Sequence, residues 1–181
     1  MKIITLPDPL LGQVCEPVEI GDKSVPKLAK QMAKEMYRTD GVGIAAPQVG
    51  ILKRFVVVDC DWVEEDEKGR PLPKNPLLLI NPVITEHSEE TWLGSEGCLS
   101  VPGITGEVER YTHVTVEAYD ENYNKIVVEG EQDLFGRCLQ HELDHLDGKT
   151  FIDRLPLLAR MQALREYEEA VAAGKRPGET S

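Results

Sequence analysis

The chain has 181 residues, with 20 Lys+Arg against 32 Asp+Glu for a formal net charge of −12. That length suits one domain with a sizeable core, and 41% hydrophobic with 29% charged residues describes a folded globule rather than a disordered chain. The acidity excludes an extended phosphate-binding surface, which needs Lys/Arg to displace counterions, and the longest aliphatic run, residues 77–80, is far short of the roughly 20 residues of a membrane-spanning helix.

Near the N-terminus Pro7, Asp8 and Pro9 interrupt what would be the apolar stretch of an export signal, so a cytoplasmic location is expected. From 24 to 38 the apolar residues Val25, Leu28, Ala29, Met32, Ala33 and Met36 recur with helical spacing, Ser24 is the expected N-cap and Pro26 suits the first turn. Asp40-Gly41 stops that helix. The Gly- and Ala-rich stretch 41–50 is too small-chained for an ordinary helix or strand. Residues 55–59 and 77–85 read as strands, joined by an acidic, Pro-rich excursion that carries no expected chemistry. Residues 113–120 alternate, with Val114, Val116 and Ala118 on one face, and pair as a hairpin with 125–129. A helix is expected from Asp133, as N-cap, to Leu146, closed by Asp147-Gly148. A last amphipathic helix, 156–173, is expected to use Leu157, Leu158, Met161, Leu164 and Val171, with a frayed tail from 174 to 181. The expected fold is α+β in a single domain, residues 1–181, with antiparallel or mixed sheets between N- and C-terminal helices.

His141-Glu142-Leu143-Asp144-His145 fits the H-E-x-x-H pattern. On a helix the two histidines lie about 400° apart, a net offset of about 40°, and about 6 Å along the axis. Two imidazoles so placed can share one divalent cation, with Glu142 beside it to take a proton from water. The alternative is a surface helix that happens to carry two histidines. Two imidazoles leave the ion short of a third protein ligand, and the cysteines offer two candidates. Cys138 shares the helix face, but its position would spread the ligands over about 10 Å of axis, too far for bonds of about 2.0–2.3 Å to one ion. Cys98 comes from another segment, flanked by Gly94, Gly97 and Gly103, and a Gly-rich loop allows close backbone approach. Cys98 is therefore the better ligand. Cys15 and Cys60 read as packing residues, and the absence of CxxC argues against a zinc ribbon. His87 and His113 read as surface residues.

Three segments, Gly41-Val42-Gly43-Ile44-Ala45-Ala46-Pro47-Gln48, Glu96-Gly97-Cys98-Leu99-Ser100 and Gln140-His141-Glu142-Leu143-Asp144-His145, resemble in identity and order the three motifs of the peptide deformylase family. The resemblance runs over nearly the whole chain. It implies sheets packed around a central H-E-x-x-H helix, and hydrolysis of the N-formyl group from the initiator formyl-methionine of nascent chains, releasing formate. It assigns the metal to Cys98, His141 and His145, with ferrous iron as the native ion and zinc, nickel or cobalt as substitutes on the same donors. It makes Glu142 the general base and gives the developing oxyanion to the Gln48 amide and the Leu99 backbone N–H. Leu134 and Cys138, one and two turns before the histidines, would wall an apolar slot for methionine. Val42, Gly43 and Gly97 would lie along the substrate, and Glu96 would pair with Arg110. Where many relatives have Arg this chain has Thr105, so no substrate contact carries over there. The family also implies a transient ribosome contact through the C-terminal helix. Residues 153–181 are net neutral, with five basic and five acidic side chains, while the preceding residues hold the whole −12. No membrane and no direct nucleic-acid reading is expected. Two other readings stay open: a zinc endopeptidase of the H-E-x-x-H class, although its usual downstream third histidine is missing, and a metal-binding relative without activity.

Overall fold

The computed structural model describes residues 1–179. Helix α1 spans Ser24–Arg38 and buries Val25, Ala29, Met32, Ala33 and Met36, the stripe expected from their spacing. Its cap differs from expectation. Ser24 is the first helical residue, and the Asp22 carboxylate accepts the Ser24 N–H at 2.9 Å and its hydroxyl at 2.6 Å.

Strands β1 (Gly43–Ala45), β2 (Phe55–Val58), β3 (Leu77–His87), β6 (Val114–Tyr119) and β7 (Lys125–Gly130) form one antiparallel sheet in the order β1-β2-β3-β6-β7. Part of the Gly/Ala stretch is thus a strand after all, with Gly43 opposite Val58 and Ala45 opposite Val56. Its side chains are small because the backbone passes directly beneath a helix. A second, two-stranded sheet pairs β4 (Thr91–Cys98) with β5 (Val101–Tyr111). Cys98 therefore ends a strand instead of riding a loop. Periodicity did not reveal this hairpin because its inward positions do not read as a hydrophobic stripe: on β4 they are Trp92, Gly94, Glu96 and Cys98, and on β5 they include Gly106 and Arg110.

Helix α2, Leu134–Leu146, starts from Asp133, whose side chain accepts the Gly136 N–H at 2.7 Å. It lies against β1, β2 and β7, and its Cys138, Leu139, Leu143 and Leu146 join Val56, Val58, Leu79 and Val116 in the core. The H-E-x-x-H residues fill the last turns of α2, where the Asp144, His145 and Leu146 carbonyls are taken by the N–H groups of Asp147 and Lys149, of Gly148 and of Cys15. Cys15 and Cys60 are both buried, and His87 stays exposed, its ring stacked on Tyr111.

Helix α3, Leu157–Ala172, corrects one expectation. Leu157 and Leu158 are 71% and 80% exposed, and Met161, Leu164 and Val171 also face solvent. The face that packs is the one with Ala163 and Tyr167, whose hydroxyl donates to the Leu6 carbonyl at 2.7 Å. Ala163, Tyr167 and Ala170 pack on the β5 side, so close at one point that a β-carbon on Gly103 would collide with Ala170 Cβ. The tail expected to fray is held as far as Glu179, whose carbonyl accepts the Gly103 N–H at 2.7 Å. Residues 180–181 lie outside the described residues.

Candidate active site

The end of β4, the turn after it, β1 with the short 3-10 turn Ala46–Val49, and α2 converge on one cavity of about 240 Å³. Val42, Gly43, Gln48, Gly97, Cys98, Leu99, Leu134, Cys138, His141 and Glu142 all line it. His145 lies just beneath, fully buried, with Nε2 3.2 Å from Cys98 Sγ. One ligand atom from each of Cys98, His141 and His145 lies within 4.8 Å of the others. A sulfur and two imidazole nitrogens at that separation fit a single tetrahedral divalent ion with one position left over. Cys138 does not belong to this group. Its thiol points to the Val42 carbonyl, 3.7 Å away, and the neighbouring Cys60 thiol together with burial pushes it well above the ordinary range.

Electrostatics favour the thiolate form of Cys98. Burial acts to raise the Cys98 thiol, but the charges of His145 and His141 outweigh it and hold the thiol down to about 5, so it is a thiolate at neutral pH. The Glu96 carboxylate accepts His141 Nδ1 at 2.8 Å, which fixes that ring and leaves Nε2 for the cation. Glu96 is in turn held by Arg110, through Nε at 2.8 Å and Nη2 at 2.9 Å, and by Arg137 Nη1 at 2.9 Å. Those partners overcome its burial and keep it well below the usual carboxylate range. Behind them Arg110 Nη1 donates to Asp144 at 2.6 Å, and Arg154 closes the series on the same carboxylate. Asp144, inside the motif but turned away from the ligand pair, is the far anchor of this buried network.

Arg110 is the shared partner of two buried carboxylates, and Arg110→Ala should lower unfolding stability by about 3 kcal/mol. That is the low end for a broken buried pair, because Arg137 and Arg154 remain. Urea titration should show a lower midpoint at unchanged slope. A loss below about 0.5 kcal/mol would mean the remaining arginines suffice.

Glu142 sits opposite. Burial pushes its carboxyl up to about 7, and its Oε2 has no hydrogen-bond partner among the described residues, although buried. Gly43 passes so close that a β-carbon there would collide with Glu142 Oε1 and Cys138 Sγ, so only glycine fits. Gln48 is oriented by its own turn. Its Oε1 accepts the Ala45 N–H at 2.8 Å, which turns Nε2 toward Ser100 Oγ at 3.2 Å and Cys98 Sγ at 3.5 Å. Sequence reasoning missed Ser100, Arg137 and the cavity's outer edge of Thr39, Asp40, Gly178 and Glu179. Ser100 sits inside a motif and Arg137 one turn before His141, so position could have flagged both; nothing local marks Gly178 or Glu179.

A family model described as polypeptide deformylase matches residues 1–161. A peptide deformylase of Rhizobium meliloti is 43% identical over 168 residues, covering 93% of this chain and 92% of that protein. A peptide deformylase 2 of Gloeobacter violaceus is also 43% identical, over 86% of this chain and 79% of its own length. Among solved structures, a peptide deformylase from Legionella pneumophila superposes with a TM-score of 0.83 at 38% identity, covering 96% of both chains. One from Synechococcus elongatus, in complex with actinonin, gives 0.83 at 37% identity over 96% of this chain and 90% of its own.

Proposed function

The chain belongs to the polypeptide deformylase family, and from that premise we propose which of its residues remove the N-formyl group from nascent chains and how. The observation that carries the reading is the approach of Cys98, His141 and His145 ligand atoms to within 4.8 Å, in the same cavity as the buried Glu142 carboxyl and the Gln48 amide. Those three residues would hold one divalent ion, natively ferrous iron, with zinc, nickel or cobalt able to occupy the same donors. When bound, that ion polarises the formyl carbonyl and acidifies a neighbouring water. Glu142 takes the proton from the attacking water and returns it to the departing amine. Gln48 Nε2 and the Leu99 N–H donate to the formyl oxygen as negative charge builds there, and Gln48 can do so at any pH because its amide does not titrate. Leu134 and Cys138 wall the slot for the methionine side chain, and Val42, Gly43 and Gly97 let the peptide backbone lie close. Residues 1–181 act as one catalytic domain.

Metal-dependent hydrolysis confined to the formyl amide is the specific claim. Formyl-Met tripeptides should yield one formate each, with their internal amides intact. Cleavage of internal amides would favour the endopeptidase reading, and metal binding with no turnover the inactive one.

The rate also has a signed pH dependence. Glu142 works as the carboxylate, so kcat/KM should fall about tenfold per pH unit below its pKa and level off above it. Its carboxyl lies at about 7 without a cation, and a nearby cation lowers it, so the bend belongs at or below pH 7. A profile at constant metal content that stays flat down to about pH 4 would remove Glu142 as the base.

We also assign a transient ribosome contact to α3, whose Leu157, Leu158 and Met161 are exposed near Arg165 and near Arg160, itself paired with Asp153, on an acidic protein. No helix among the described residues is long and apolar enough to cross a membrane.

A further inference from the structure

The acidic excursion between β2 and β3 carries no expected chemistry, yet both of its ends are fastened to one wall of the active-site cavity. That wall is Thr39, Asp40, Gly41, Val42 and Gly43, consecutive residues that all line it. At the first end, the indole N–H of Trp62 donates to the Gly41 carbonyl at 3.1 Å. The Gly41 N–H donates to the Met36 carbonyl of α1 at 2.9 Å, so the peptide groups on both sides of Gly41 are pinned. A β-carbon on Gly41 would collide with Leu99 Cδ1, so the chain is tightly packed there. At the second end, the Asn75 N–H donates to Asp59 Oδ2 at 2.7 Å, and the Asp59 N–H donates to the Val42 carbonyl at 2.8 Å. The two ends are also tied to each other. Trp62 and Tyr37 meet edge to face with ring centroids 5.4 Å apart, and the Tyr37 hydroxyl donates to Asp59 Oδ2 at 2.5 Å. The Lys74 ammonium lies 4.4 Å from the Tyr37 ring centroid and 5.0 Å from that of Trp62.

We propose that Trp62 is a positioning residue for the peptide substrate: by fixing the Gly41 carbonyl it holds residues 41–43 in the line against which the substrate backbone lies. The inference rests on the site reading above, in which Val42 and Gly43 let that backbone lie close. Gly43 stands at the reacting end, since a β-carbon there would collide with Glu142 Oε1. Gly41 is two residues further along the same wall. A substrate with its formyl carbon near Glu142 and its methionine side chain against Leu134 and Cys138 therefore meets Gly43 first, and only its later residues run past Gly41. Trp62 is not among the residues that line the cavity, so it acts through Gly41 and on the binding of the longer peptide, not on the reacting atoms. An indole suits this task. It is a donor only, so it cannot compete with Gly41 as an acceptor, and its ring lodges between Tyr37 and Lys74.

The test uses the full-length, metal-loaded enzyme and two substrates, formyl-Met-Ala-Ser and formyl-Met amide, the second too short to run past Gly41. Trp62→Phe keeps an aromatic ring against Tyr37 and Lys74 but removes the indole N–H. It should raise KM for the tripeptide about two- to tenfold, the worth of one net hydrogen bond, at unchanged kcat, and leave both constants for formyl-Met amide where they were. The ratio of kcat/KM for the tripeptide over the amide should therefore fall by the same factor. Lys74→Met, which leaves the indole N–H but removes the cation shared by the two rings, should lower the ratio in the same direction and by less. An unchanged ratio in either variant overturns the proposal, because a purely structural role scales both substrates together. A tripeptide loss that falls on kcat with KM unchanged overturns it too. No hydrolysis of either substrate by the unaltered enzyme overturns the site reading beneath it as well.

Discussion

Glu142→Gln should keep its metal and its fold yet lose turnover by about 10²–10⁴-fold, the usual worth of a positioned general base. Glutamine preserves the volume beside Gly43, so neither the close backbone approach nor the packing of α2 is disturbed. What it removes is proton affinity at an oxygen that is buried and has no hydrogen-bond partner among the described residues. Burial holds that carboxyl up to about 7, near the operating pH, where a base can both accept a proton from water and release it to an amine. The loss should appear equally in kcat and kcat/KM, because the interaction exists only as the proton moves. A variant that kept near-normal rates with metal bound would take the base role away from Glu142.

The second large effect separates the two cysteines that face the cavity. Cys98→Ser should weaken metal binding by more than the roughly 10–100-fold typical of a residue that merely orients a ligand. It replaces a thiolate, held down to about 5 by His145 and His141 against its burial, with a hydroxyl that stays protonated. Cys138→Ser should keep the ion. Its sulfur lies on the same helix as both histidines but points to the Val42 carbonyl, and burial with the Cys60 thiol keeps it protonated. The measurement is metal per chain after dialysis against a weak chelator. Equal loss from both variants would mean that the ligand set is wrong.

What could be read from residues alone follows from how local the controlling physics is. α2 was legible to the residue and α1 in all but its cap, because each buries a continuous apolar stripe and ends at a turn signal, Asp40-Gly41 or Asp147-Gly148. The hairpin of β4 and β5 was not, since Glu96, Arg110 and glycines on its inward side interrupt the buried Val101, Ile104 and Val108. α3 misled for a different reason. Its leucines have helical spacing, yet the buried face is that of Ala163 and Tyr167, the latter anchored by its hydroxyl on the Leu6 carbonyl. At the site, the Cys98 and α2 segments carried their chemistry in their order and spacing. The Arg110–Asp144–Arg154 network and the cavity edge at Gly178 and Glu179 depend on residues that meet only after folding, and no local pattern marks them.

The most direct measurement is formate release from a formyl-Met tripeptide, followed while metal-free protein is titrated anaerobically with ferrous iron. Activity should rise in proportion to bound iron and stop rising at one ion per chain. Full occupancy without formate, or formate release at the same rate with the metal stripped away, would contradict a site built from Cys98, His141, His145 and Glu142.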